Sequence, residues 1–142
     1  PHSPVKPHLP TEGKKRELNK IKLDKLEIDI VSDTARNAAE HISQNKDKNK
    51  STQLRKFYDE LAMWHDKVFQ AASREEAYQN AAPFIQMLRA KAAYSKGRSH
   101  VDDNFIAVFN QIIGQIHNAD TLKNAKLFFE AVLGFRRANE QK

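Results

Sequence analysis

Punctuation is what this chain lacks. From residue 11 to its end the 142-residue sequence carries one proline, Pro83, and the whole chain has four glycines. Tight turns and hairpins depend on such residues, so a chain this poor in them suits helices joined by short links. The apolar spacing agrees. Leu54, Phe57, Leu61, Trp64 or His65, and Val68 recur every three or four residues, as do Phe105, Val108, Phe109, Ile112, Ile113 and Ile116. That is the stripe of a helix with one buried face. The predicted fold class is all-α: a single-domain bundle of about five helices, residues 32–142, behind an extended N-terminal segment, residues 1–31.

Local signals set the expected boundaries. Residues 1–16, with Pro1, Pro4, Pro7 and Pro10, read as a polyproline-like tail. Residues 17–31 read as a short helix passing into extended chain, because Leu26, Ile28 and Ile30 alternate. Ser32 is the expected cap of a first helix over 33–43, and Ser51 or Thr52 the cap of a second over 52–72. Ser73 and Glu76 form a capping-box pattern opening a third over 74–96, kinked near Pro83 and stopped by Gly97. Phe84, Leu88 and Ala92 are assigned to its core face. A fourth helix is expected over 102–117 and a fifth over 121–138, capped by Asp120.

Composition removes several functions. There is no cysteine, hence no disulfide frame, thiolate metal site or cysteine nucleophile. No phosphate-binding glycine loop, zinc-protease helix, calcium loop or nucleophile elbow occurs. No apolar run reaches membrane-spanning length, so the expectation is a cytoplasmic protein without membrane contact. His100, Asp102 and Asp103 come nearest to a metal set, but the two aspartates fit better at the positive end of the fourth helix. His65 and His117 read as partly buried, satisfied histidines, and Asp24, Glu27 and Asp29 as a solvated acidic cluster. No cofactor, no metal and no catalytic residue is predicted.

The positive signal is charge. The net charge is +6 and the isoelectric point about 9.6, which favours nucleic acid or an acidic protein as partner. Residues 44–56 carry +4, 86–98 carry +4 and 123–137 carry +3, while 57–85 and 99–122 carry −3 each. Antiparallel neighbours would bring the start of the second helix and the ends of the third and fifth to one pole. Lys50, Arg55, Lys56, Arg89, Lys91, Lys96, Arg98, Arg136 and Arg137 would then share it, with Tyr94 as a stacking candidate or a simple cover of the bundle end. Cations at helix C-termini are ordinary, but Lys50, Arg55 and Lys56 begin a helix, where they oppose its dipole. That placement suggests a polyanion surface.

Three segments in order carry a family resemblance: "STQLRKFYDEL" (51–61), "IQMLRAKAAYSKGR" (85–98) and "DTLKNAKLFFEAVLGFRR" (120–137). They hold Thr52-Gln53-Leu54-Arg55-Lys56, then Tyr94, Gly97 and Arg98, then Phe129-Glu130-Ala131-Val132. Together they resemble the small subunit of type III-A CRISPR effector complexes, the Csm complexes, with the related helical small subunits of type III-B complexes as a near alternative. The resemblance implies a non-catalytic subunit that stacks in several copies beside backbone and large subunits, its basic face along guide and target RNA. It implies RNA contact for Arg55, Lys56 and Arg98; the other cations rest on charge and topology alone. Two further readings stay open: a helical DNA-binding regulator, for which only the helix bearing Gln53 and Arg55 would serve, and an adaptor for an acidic protein.

Overall fold

A computed structural model describes residues 17–141; the expected tail over 1–16 lies outside the described residues. The helices are α1 (Ala35–Ile42), α2 (Ser51–Gln70), α3 (Arg74–Gln86), α4 (Leu88–Gly97), α5 (Asp103–Gly114) and α6 (Ala119–Glu140). The described residues contain no strand. α3 and α4 are the predicted third helix in two pieces, so five helical units form the bundle. The break falls at Met87, where ψ opens to −15°, four residues beyond Pro83.

α6 lies against α1 on one side and α2 on the other, α5 packs on α1 and α4, and α3 closes over α2. Phe57, Phe105, Phe109 and Phe129 meet in the middle at ring separations of 5.1 to 6.4 Å. Phe84, assigned above to the core, is instead half exposed and stacks on Trp64 at 5.2 Å.

The order predicted for 17–31 is reversed: extended chain comes first and helix second. Ile21 and Leu23 alternate into the core, and the polar chain between them is held by side-chain amides rather than a neighbouring strand. The Ile21 N–H donates to Gln111 Oε1 (3.1 Å) and the Leu23 N–H to Gln115 Oε1 (2.8 Å); Gln115 Nε2 and Asn124 Nδ2 donate to the carbonyls of Ile21 (2.6 Å) and Leu23 (2.8 Å). Three side-chain amides, through four hydrogen bonds, thus satisfy a backbone that would otherwise enter the core unpaired. Helical structure then starts at Ile28, runs through a π-type stretch, Ile30–Thr34, and continues into α1. Ser32 is therefore inside a helix, its hydroxyl bonded back to the Ile28 carbonyl (2.7 Å), and is not a cap.

The other caps divide. Ser73 accepts from the Glu76 N–H as predicted, and Asp102 caps α5 by accepting from the Phe105 N–H (3.2 Å). α6 is capped by Asn118 in a capping box with Thr121, so Asp120 sits in the first turn and not at the cap. α4 runs through Gly97 and ends in a Schellman motif, with His100 N–H on the Ser95 carbonyl and Ser99 N–H on that of Lys96. The left-handed residue is Ser99 (φ 66°), not the glycine.

Candidate nucleic-acid interface

One end of the bundle collects the end of α1, the 43–50 loop, the start of α2, the 98–102 turn and the end of α6. Asn49 ties them together. It is fully buried with φ 58°, a left-handed conformation asparagine tolerates. Its Nδ2 donates to the Ile42 carbonyl (3.0 Å) and to Asp102 Oδ1 (2.7 Å), and its Oδ1 accepts from the Asp102 N–H (3.1 Å). Its backbone N–H donates to the His100 carbonyl (3.0 Å), and its carbonyl accepts from Arg136 Nε (2.8 Å). Every hydrogen-bonding group of this residue is used, and four chain segments are fixed by it.

Arg136 belongs to that framework. It is 3% exposed, donates also to the Lys48 carbonyl (3.2 Å), and faces Glu140 at 3.7 Å. Burial pulls its pKa down, and the charges of Glu140 and Asp102 act against that. The expectation that Arg136 offers its charge to RNA is therefore corrected: no phosphate can reach it. The helical register shows why, since Ala125, Phe129, Val132 and Arg136 fall on one buried face.

The start of α2 is capped from another helix. Lys50 stands at the N-cap without a side-chain cap bond, so the predicted Ser51 or Thr52 cap is also corrected. Glu140 of α6 supplies the carboxylate, Oε2 accepting from the Ser51 N–H (2.7 Å) and Oε1 from the Ser51 hydroxyl (2.6 Å). Burial alone would raise the Glu140 pKa; the Ser51 hydrogen bonds and the nearby Arg136 and Arg137 outweigh it and hold the pKa below its ordinary value. This carboxylate offsets the clash of Lys50, Arg55 and Lys56 with the dipole, so their placement alone is weaker evidence for a ligand than the sequence suggested.

The remaining predicted residues sort by position. Lys50 is exposed beside a cleft of about 570 Å³ that also includes Lys46 and Arg137. Arg55 is exposed, pairs with Asp59 (3.1 Å) and lies over the Tyr58 ring. Lys56 is exposed, with only a 3.4 Å contact to Gln53. Lys96 pairs with Asp103 (2.6 Å) at the pole. Arg98 is exposed and reaches Tyr94, whose ring is two-thirds exposed, through its hydroxyl (3.3 Å) and face. Lys91 is set back along α4 and held by Glu60 of α2 (2.9 Å). Arg89 does not join the pole: it opens α4 and its guanidinium lies directly over Gly114, the last residue of α5. There its charge faces the negative end of a helix. His65 contacts Asp66 (3.0 Å) and stacks on Phe69, while His117 is exposed and not, as expected, partly buried.

Lys46, one of the cations counted in the charge of residues 44–56, was not singled out, although the 43–50 loop places it at the pole beside Lys50 and Arg137. The run of alternating Lys in "NKDKNK" was the available signal.

A family model described as Csm2 Type III-A matches residues 25–142. The chain belongs to the Csm2 family. The resemblance carried by the three segments is thereby shown, and it extends from residue 25, ahead of the π-type stretch, through α6. As a Csm2 protein the chain is a small subunit of a type III-A effector and a member of a Csm complex with other subunits. No curated protein and no solved structure matches it. No helix among the described residues is long and apolar enough to cross a membrane.

Proposed function

We propose that this Csm2 protein is a non-catalytic RNA-holding subunit, which stacks in several copies and grips the phosphates of guide and target RNA without reading sequence. The observation that carries the reading is the convergence of exposed cations from separate chain segments, Lys46 and Lys50, Arg55 and Lys56, Lys96 and Arg98, and Arg137, on and beside one rigid end of the bundle. Exposed guanidinium and ammonium groups on a fixed frame suit phosphate contacts, which position a nucleic acid and give affinity without base identity. Arg136 is left out of the contact set because it is buried, and Arg89 and Lys91 because they lie away from the pole, over Gly114 and against Glu60. Cytoplasmic residence follows from membership in an RNA-guided complex.

The test is RNA binding by the full chain, alone and with its complex partners, across a range of salt. Lys56→Ala and Arg98→Ala should each weaken binding equally for unrelated RNA sequences, and each should reduce the log–log salt slope by about 0.7 on a single strand. Unchanged affinity and slope in the double variant, with partners present, would refute phosphate contact at these positions.

A further inference from the structure

Between α2 and α6 lies a second cleft, of about 550 Å³, lined by residues of opposite character at its two ends. The mouth, at the basic pole, has the Ser51 hydroxyl 3.4 Å from Arg137 Nη1. The other end has Glu130, more than half exposed, whose Oε1 accepts from the Tyr58 hydroxyl (2.8 Å) and lies 3.7 Å from Lys126 Nζ. Between them Arg55 lies 5.5 Å from the centre of the Tyr58 ring, and Leu133 and Gly134 line the α6 side. From Ser51 to Tyr58 is seven helical residues, about 10 Å along the axis.

Gly134 is the informative residue. It lies deep inside a 22-residue helix, where glycine is the least favourable residue after proline. Neither of the usual structural reasons applies. Its φ is not in the left-handed range, and a Cβ built on it meets no atom within 4 Å. The fold does not need the missing side chain, and its absence keeps the α6 wall of the cleft open.

We infer that this cleft takes one unstacked nucleotide, with its phosphate at Arg137 and Ser51, its base layered on the Arg55–Tyr58 platform over Gly134, and an exocyclic amino group of the base donated to Glu130. The inference rests on the RNA reading above and qualifies its indifference to sequence at one nucleotide. Stacking on an aromatic ring or a guanidinium plane is how unpaired bases are commonly held. The Glu130 carboxylate accepts only, and one of its oxygens already serves Tyr58. Burial and the neighbouring carboxylate push the Tyr58 pKa up to about 12, so its hydroxyl stays a donor. The other oxygen would accept from the base, a match for the cytosine N4 amino group and a mismatch for the O4 oxygen of uracil.

Twelve-nucleotide oligocytidylate and oligouridylate separate the cases, since both stack weakly and differ in the group at ring position 4. The full chain should bind oligocytidylate about fivefold more tightly. Glu130→Gln should erase that preference by raising oligouridylate affinity, since the glutamine amide can donate to uracil O4 as well as accept from cytosine N4. Gly134→Leu should weaken oligocytidylate at least about fivefold, the lower range for losing one base stack, and Gly134→Ala should fold with a higher Tm. Equal binding of the two oligonucleotides by the unaltered chain overturns the inference. So does a Gly134→Leu protein that binds oligocytidylate normally. If Lys56→Ala and Arg98→Ala still weaken binding in that event, the cleft assignment fails and the phosphate reading stands; if neither oligonucleotide binds at low salt even with partners present, the RNA reading itself fails. Loss of self-association in Gly134→Leu, by sedimentation and without change in RNA binding, would assign the cleft to a second copy of the chain and also overturn the inference.

Discussion

Arg136 and Arg137 are adjacent in sequence and opposite in circumstance. Arg136 is buried, spends its guanidinium on two backbone carbonyls and faces Glu140, whereas Arg137 projects with about 62% of its side chain exposed. Removing the first leaves two carbonyls without their partner, each typically costing about 1–3 kcal/mol, and takes one of two cations from Glu140. Removing the second should alter stability by no more than about 0.5 kcal/mol. Arg136→Ala is therefore expected to lower the urea midpoint sharply, while Arg137→Ala leaves it in place and reduces RNA affinity. Equal midpoints for the two variants would refute this division. Charge counting in the sequence treated the pair as equivalent; only the register of Phe129 and Val132 distinguishes them, and that register becomes decisive once α6 is known to be buried along that face.

At the scale of elements, the unusual contact is a helix start completed by a side chain 89 residues away: Glu140 caps α2 at Ser51. Its pKa is depressed from the ordinary 4.5, so the folded state holds the charged form more tightly than the unfolded chain does. The stabilisation is thus fully present above about pH 4.5 and is lost as pH falls through the lower, folded-state value. Glu140→Gln should cost about 1.5–3 kcal/mol at neutral pH, the range for hydrogen bonds to a charged group. Denaturation curves at successive pH values should show the two proteins converging as the pH falls below about 4.5; a constant gap would mean the charge is irrelevant to the cap. Helix existence and approximate length were legible in the sequence for all five units, because three- and four-residue apolar spacing runs through α2, α5 and α6. Of the caps only Ser73 was legible as one; Asp102 was legible just as a charge at the helix's positive end, and the local Asn118–Thr121 box was hidden behind Asp120. Glu140 was beyond reach, since a cap supplied by another helix leaves no pattern near the helix it serves.

For the molecule as a whole, the strap of residues 17–23 decides where the fold begins. Ile21 and Leu23 are core residues 2% and 0% exposed, although they precede the matched family stretch and lay outside the predicted bundle. Five alternating residues are too few to show a period, and their partners, Gln111, Gln115 and Asn124, are remote. A chain starting at residue 17 is expected to melt as the full chain does. One starting at residue 25 should lose about 3–6 kcal/mol, from two aliphatic side chains at about 1.5–3 kcal/mol each. Identical melting of both truncations would show the strap to be dispensable. The basic pole was foreseen in outline, because alternating helix direction brings its three segments together; which cations are free at it depends on Asn49, Asp103 and Glu60, which no spacing reveals.

The strap also sets an order of events during synthesis. Its amide partners stand 90 to 101 residues downstream, so Ile21 and Leu23 leave the ribosome well before anything exists to receive them. At about 5–20 residues per second the wait is about 5–20 s, far longer than the microsecond or shorter times in which isolated helices form. Helices already formed in that interval must stay unlocked, and the nascent chain carries two exposed aliphatic residues until α6 emerges. A segment made early is thus among the last to close the core.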